Sequence, residues 1–148
     1  MKLKLPLIAA FVALTSLAAC GGGSGANSPG VSAESPAALS KTDASIGTGA
    51  EALTGKAVKV YYTGYLYSST APGFKGAPFD SLVSGTPFGF TLGTSAVVAG
   101  FEQGVLGMRV GGKRTVVIPS ALGYGASGRG SIPPNAGLVF DIELVQVL

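Results

Sequence analysis

The run from Leu138 to Leu148 sets the first limit on the fold. In an extended chain Leu138, Phe140, Ile142 and Leu144 share one face, opposite Asp141 and Glu143. Such a segment needs a core on one side and water on the other. Three further stretches read as strands. Val58-Lys59-Val60-Tyr61-Tyr62-Thr63 alternates and is rich in strand formers. Phe88 to Leu92 puts both phenylalanines on one face, and Arg114 to Ile118 follows a Gly111-Gly112 pair that suggests a hairpin or tight connection. Gly64 marks a bulge or a close approach of another group. Only Val97 to Met108 has helical spacing, through Phe101, Val105 and Met108. Gly100, Gly104 and Gly107 weaken it, so a short helix held by packing on the sheet is expected. Strands plus one short helix make an α+β domain, an antiparallel sheet wrapped over a helix.

The N-terminal end reads differently. Lys2 and Lys4 precede an apolar run, Leu5 to Leu14, too short to span a bilayer. Leu17-Ala18-Ala19-Cys20 then resembles the lipobox of bacterial lipoproteins, in which the cysteine is lipidated and becomes the first mature residue. Residues 1–19 are thus expected to be a lipoprotein signal peptide. Residues 20–40 are expected to be a disordered Gly/Ser/Ala/Pro tether carrying lipid on Cys20, and residues 41–148 the folded domain. A coil of about 20 such residues spans roughly 25 Å. The formal net charge is +3; removing Lys2 and Lys4 leaves eight basic against seven acidic residues. That balance has no basic stripe, so no nucleic-acid partner is expected. More than one acyl chain gives stable anchoring, and Gly21 in place of an aspartate leans the location towards the outer membrane, facing the periplasm.

The residues then remove whole classes of chemistry. There is no histidine and one cysteine, which excludes Ser-His and Cys-His nucleophiles and His/Cys zinc sites. No metal and no cofactor are expected. A carboxylate-pair hydrolase stays open only through the few, dispersed acidic residues. Gly123, Gly125 and Gly128 match G-x-G-x-x-G, but Gly130-Ser131-Ile132-Pro133-Pro134 follows and cannot open the helix that a dinucleotide site needs. The same stretch remains open as a plain flexible loop or as a flap over a binding site. Rotation about an Xaa-Pro amide is a reaction that requires no nucleophile, metal or histidine.

The blocks "VKVYYTGYL", "FDS", "PFGFTLG", "VVAGFEQGVLGMRVGGKRTVVIP", "YGASG" and "IPPNAGLVFDIEL" occur in the order found in the FKBP family of peptidyl-prolyl cis-trans isomerases, which this chain resembles from Lys41 to Leu148. The resemblance implies a half-wrapped antiparallel sheet over one short helix, with an aromatic pocket between them. It implies catalytic roles for Tyr62, Phe79, Asp80, Phe101, Tyr124 and Phe140, and substrate binding by Phe88, Val97, Val98 and Ile132. Phe79, Phe101 and Phe140 would grip the proline ring, with Phe101 as floor. The Val98 backbone N–H and the Tyr124 hydroxyl would hold substrate carbonyls, while Asp80 and Tyr62 position the twisting amide. Gly125, Gly128 and Gly130 would let the flap close, with Tyr124 and Ile132 as its contacts. The implied partners are Xaa-Pro segments of exported proteins and, as inhibitors, macrolide immunosuppressants. Each residue also has a plainer reading: Phe88, Phe101 and Phe140 as core, Tyr62 and Tyr124 as strand-end tyrosines, Asp80 as a turn cap.

Three features depart from the family pattern. Phe101 stands where the family usually has tryptophan. No arginine follows Asp80 within Ser81-Leu82-Val83-Ser84-Gly85, and Tyr67 to Pro78 is longer than in the smallest relatives. That stretch reads as a partner-binding loop or a bulged excursion. The first two departures favour the alternative, a non-catalytic FKBP-like module that holds a partner protein.

Overall fold

The computed structural model describes residues 33–148. The expected leader, the lipobox and Cys20 lie outside them. Among the described residues no helix is long and apolar enough to cross a membrane.

Among the described residues the strands are β1 (Ser40–Ser45), β2 (Ala57–Tyr67), β3 (Lys75–Leu82), β4 (Phe88–Thr91), β5 (Lys113–Ile118) and β6 (Leu138–Val147), with one α-helix, α1 (Ala99–Val105), between β4 and β5. They form one sheet in the order β1-β5-β6-β2-β3, and β4 also pairs with β2. All pairings are antiparallel. The length of β2 explains the branched edge. Its first half, Ala57 to Val60, pairs with β4, and its second half, Tyr62 to Tyr67, with β3.

The alternating face of β6 is buried as its pattern requires: Leu138, Phe140, Ile142 and Leu144 are each 5% exposed or less. Val58 and Val60 of β2, Val116 and Ile118 of β5 and Phe101 and Val105 of α1 join them in a single core. Burial of such side chains stabilises by about 1.5–3 kcal/mol each.

The helix covers Ala99–Val105 of the expected stretch Val97 to Met108, and two of its glycines serve packing. A Cβ on Gly100 would lie 2.3 Å from Cγ2 of Ile118, and one on Gly104 2.6 Å from Cγ2 of Val116. The helix therefore rests its backbone directly on β5. It ends at Leu106, after which Gly107 takes a φ of +88°. Arg114 supports this end, its Nη1 donating to the carbonyls of Gly104 (2.9 Å) and Leu106 (3.2 Å). Cations beside C-terminal helix carbonyls are stabilising.

The structure refines the sequence reading at four points. Of the two readings of Gly111-Gly112 the tight connection holds and the hairpin does not: the pair joins α1 to β5 and bonds across to Leu144 of β6, with 2.9 Å from Gly111 N–H and 3.1 Å to the Gly112 carbonyl. The strands β1 and β3 carry no simple apolar alternation. Every residue of β1 is exposed, and β3 holds Gly76 and Pro78 at a bulged edge, where a missing N–H is tolerated. Tyr67 to Pro78 is a folded excursion: a 3-10 turn at Pro72–Phe74 stacks Phe74 on Tyr67, with centroids 5.4 Å apart, and runs into β3. Finally, a boundary at Lys41 falls inside β1, and packing reaches back to Ala33. Ala33 and Leu39 pack against the core, Gly137 N–H donates to the Glu34 carbonyl at 2.7 Å, and Ser120 N–H donates to Ser35 Oγ at 2.9 Å. Residues 33–40 thus belong to the folded unit rather than to a tether.

Candidate active site

Between α1 and the concave face of the sheet lies a cleft of about 490 Å³, within the roughly 300–1,000 Å³ usual for small-ligand sites. Tyr62 of β2, Phe79 and Asp80 of β3, Phe88 of β4, Phe101 of α1, Phe140 of β6, and Val97, Val98 and Tyr124 from the loops line it together. These residues come from widely separated parts of the chain. One expected residue is elsewhere: Ile132 is not among the lining residues but is buried in the core, 6% exposed. Three were missed, Ser95, Ala96 and Arg129. The signal for Arg129 was its place in the glycine-rich flap. Ser95 and Ala96 are small loop residues with none.

The register of β2 builds the aromatic wall. Tyr62 and Gly64 point to the same side. Tyr62 meets three rings edge-on: Phe88 at 6.0 Å, Phe101 at 5.7 Å and Phe140 at 6.1 Å between centroids. Phe101 and Phe140 form the floor, perpendicular at 4.9 Å, and Phe79 stands edge-on to Phe140 at 5.7 Å. Edge-to-face pairs hold such rings in fixed orientations and are worth about 0.5–1.5 kcal/mol each beyond burial. Phe101 and Phe140 are therefore both core and site, which merges their two readings.

Gly64 leaves room for that wall. It pairs with Phe140 on one side and Asp80 on the other. A Cβ there would sit 2.6 Å from Cζ of Phe79 and 2.8 Å from Cε1 of Phe140. The glycine marks both a close approach and a bulge, since the β2–β3 register shifts immediately after it.

Asp80 lies on a strand and does not cap a turn. Its Oδ2 accepts from the Tyr62 hydroxyl at 2.8 Å, and its Oδ1 from the Ser81 N–H at 2.9 Å. Burial first, and then the hydrogen bond to the Asp80 carboxylate, push the Tyr62 phenol up to about 12. Tyr62 is thus a neutral donor at every physiological pH. No arginine replaces the absent family partner: among the described residues Asp80 makes no ion pair.

The rims supply hydrogen-bonding groups. The Val98 carbonyl accepts from Phe101 N–H (3.0 Å) and Glu102 N–H (3.2 Å), opening the helix. Its own N–H donates to no backbone carbonyl among the described residues. Glu102 Oε1 accepts from Gly93 N–H at 3.0 Å and ties the loop before α1 to the helix. Across the cleft, the Tyr124 hydroxyl has no hydrogen-bond partner among the described residues. The flap is braced by Gly128 N–H to the Tyr124 carbonyl (3.2 Å) and Asn135 N–H to the Gly125 carbonyl (2.8 Å). Gly128, at a φ of +65°, admits no Cβ, which would lie 2.5 Å from the Ile132 carbonyl oxygen.

A second cavity, of about 330 Å³, lies among outward-facing residues of the sheet, including Tyr61, Thr63, Lys75, Thr115 and Asp141. Its central charges are already paired, Lys75 Nζ to Asp141 Oδ2 at 2.7 Å and Thr115 Oγ1 to Asp141 Oδ1 at 2.7 Å. It has no comparable ring cluster. Among the described residues no cluster of acidic residues could hold a metal ion.

The aromatic cleft, with a neutral tyrosine paired to a carboxylate and hydrogen-bonding groups on both rims, fits a peptide segment that presents an apolar ring to its floor. Comparison with known proteins agrees. Residues 49–145 match the model of the FKBP-type peptidyl-prolyl cis-trans isomerase family. The chain is 52% identical over 99 residues to peptidyl-prolyl cis-trans isomerase FPR2 of Saccharomyces cerevisiae, covering 66% of this chain and 69% of that one. It is 46% identical over 103 residues to an FK506-binding protein of Neisseria meningitidis serogroup B, covering 68% and 88%. It spans only 28% of a longer relative, the 39 kDa FK506-binding nuclear protein of Drosophila melanogaster, at 46% identity over 71% of this chain. Among solved structures, a peptidyl-prolyl cis-trans isomerase from Pseudomonas syringae superposes with a TM-score of 0.61 at 36% identity, covering 74% of each chain. The chain belongs to the FKBP-type peptidyl-prolyl cis-trans isomerases.

Proposed function

We propose that the cleft binds the proline of an Xaa-Pro segment and accelerates rotation about its amide bond. The observation that carries this reading is the edge-on packing of Tyr62 against Phe88, Phe101 and Phe140 around an open cleft. The planar amide is held by resonance behind a barrier of about 18–20 kcal/mol. In the twisted transition state that resonance is lost and the carbonyl is less polar. Aromatic walls that exclude water favour the twisted form over the solvated planar one, and such differential binding raises the rate of the chemical step. Phe79, Phe101 and Phe140 hold the ring by shape. The Val98 N–H and the Tyr124 hydroxyl, with no partners among the described residues, accept the role of fixing substrate carbonyls. No bond to the protein forms.

The finer setting is part of the same proposal. Cys20 carries lipid, the domain stands in the cell envelope, facing the periplasm from the outer membrane, and its clients are exported proteins whose folding waits on prolyl isomerisation. Uncatalysed isomerisation takes tens of seconds to minutes, slow enough to limit folding. Macrolides of the FK506 type, which the Neisseria relative is named for binding, would occupy the same cleft as inhibitors. Phe101 keeps a buried aromatic floor, 4% exposed, in the position where tryptophan is usual, and turnover is what separates catalysis from the partner-holding alternative.

A protease-coupled assay with an Ala-Leu-Pro-Phe anilide, together with a proline-limited refolding assay, tests the activity. Turnover above the uncatalysed rate is expected; its absence in the folded chain sinks the reading. Radiolabelled palmitate should enter the chain and be lost in Cys20→Ser, with the label recovered in the envelope fraction.

A further inference from the structure

The charge arrangement of the cleft suggests what flanks the proline. Arg129 is the lone basic residue lining it, and Asp80 the lone acidic one. Asp80 is engaged by the Tyr62 hydroxyl and the Ser81 N–H. Arg129 makes no ion pair among the described residues. Its backbone is fixed all the same: Arg129 N–H donates to the Ile132 carbonyl at 2.9 Å, and Ile132 N–H to the Arg129 carbonyl at 2.8 Å. This closes a two-residue turn through Gly130, at a φ of +55°, whose far end is anchored by the buried Ile132 side chain. The guanidinium lies 5.8 Å from the Tyr124 ring centroid, over its face. A guanidinium so stacked is oriented by the ring, while its donor fork stays available to a carboxylate.

We infer that Arg129 is a specificity-determining residue that selects Xaa-Pro segments with an acidic side chain immediately next to the proline. Tyr124 and the guanidinium stacked on it both line the cleft, so the residues flanking a proline bound there come within reach of Arg129. An acidic neighbour finds an unpaired cation there. A basic neighbour meets repulsion at that rim and little compensation from the engaged Asp80. Because the site is partly exposed, the preference is modest and salt-sensitive.

This rests on the isomerase reading, and the test keeps the two apart. Two peptide pairs differing only in Glu or Gln, placed directly before the proline in one pair and directly after it in the other, are compared with the full chain in detergent. Turnover of the Gln peptides tests the isomerase reading alone. The Glu-to-Gln ratio tests Arg129, and the ratio of dissociation constants for the same peptides carries that test even where turnover is absent. Wild type should favour Glu in at least one pair by about two- to fivefold at low ionic strength, falling towards parity near 1 M salt. Arg129→Gln should erase the ratio, and Arg129→Glu should shift preference to the corresponding Lys peptide. Equal handling of Glu and Gln by wild type in both pairs overturns the inference. So does a Glu preference that survives Arg129→Gln.

Discussion

Gly64→Ala asks whether the aromatic wall must stand where it does. The new methyl would lie 2.6 Å from Cζ and 3.0 Å from Cε1 of Phe79, and 2.8 Å from Cε1 of Phe140. Ordinary carbon contacts are about 3.5–4.0 Å, so both rings must retreat by roughly 1 Å. Overpacking of this kind costs about 1–3 kcal/mol. Removing a glycine from a strand interior returns about 0.5–1 kcal/mol, because the unfolded chain loses freedom. Gly64 has no positive φ, so the backbone itself tolerates alanine. The net loss of stability should be about 0–2.5 kcal/mol, which urea denaturation will read. Activity should fall much further, since a misplacement of about 1 Å in a catalytic wall is worth roughly 100-fold. The measurement is kcat/KM on an Xaa-Pro peptide at a temperature where the variant is fully folded. A folded Gly64→Ala enzyme within threefold of wild type would refute the reasoning, because the clash it creates lies wholly within the proposed wall.

Three further outcomes follow from the same packing. Phe101→Leu keeps an apolar floor and most of the core volume, yet loses the edge-on contacts to Tyr62 and Phe140, so kcat/KM should drop about tenfold or more while the thermal transition stays cooperative. Tyr62→Phe removes the 2.8 Å donor to an exposed carboxylate and should reduce the rate by about tenfold or less, on the scale of one hydrogen bond; in wild type, Tyr62 should ionise near pH 12 in an ultraviolet titration, so its contribution to stability is complete below pH 10 and is lost as pH rises through 12. The Arg114 hydrogen bond holds the Asp43 carboxyl below its usual value of 3.8, which makes the contribution of that pair present above pH 3.8 and lost as pH falls through the lower folded value; Arg114→Gln should abolish that acid-side slope and loosen β1, read as faster amide exchange across Ser40–Ser45.

The parts of the fold visible in the sequence were those whose burial follows one periodicity. The apolar faces of β6 and of the first half of β2 depend on local alternation, and the spacing of Phe101 and Val105 marked α1. What stayed hidden depends on partners distant in the chain. Ser40–Ser45 is polar throughout and becomes a strand only because β5 offers it an edge. Residues 33–39 look like linker by composition, yet Gly137 provides a seat beside Ser35 and Pro36. At the site, the family blocks led to the cleft residues because each block carries one wall. They misplaced Ile132, whose position in the flap implied a contact with substrate. Its backbone does belong to the flap turn, but its side chain turns into the core and secures Arg129 instead.

The missing arginine beside Asp80 changes what the carboxylate can do. Here its two oxygens are taken up within the site, by the Tyr62 hydroxyl and the Ser81 N–H. The hydroxyl is in turn held by a ring that touches three phenylalanines. Carboxylate, phenol and aromatic wall therefore form one mechanical unit, and the charge of Asp80 is spent largely on aiming Tyr62. On the proposed mechanism, a field at the twisting amide is then a minor contribution beside the shape of the wall and the exclusion of water. On this basis Asp80→Asn, whose single amide oxygen can still accept from Tyr62 at the cost of the Ser81 N–H bond, should retain more activity than Asp80→Ala, which should behave like Tyr62→Phe. If Asp80→Asn proves as damaging as Asp80→Ala, the negative charge itself acts on the amide, and the weight assigned to the wall is wrong.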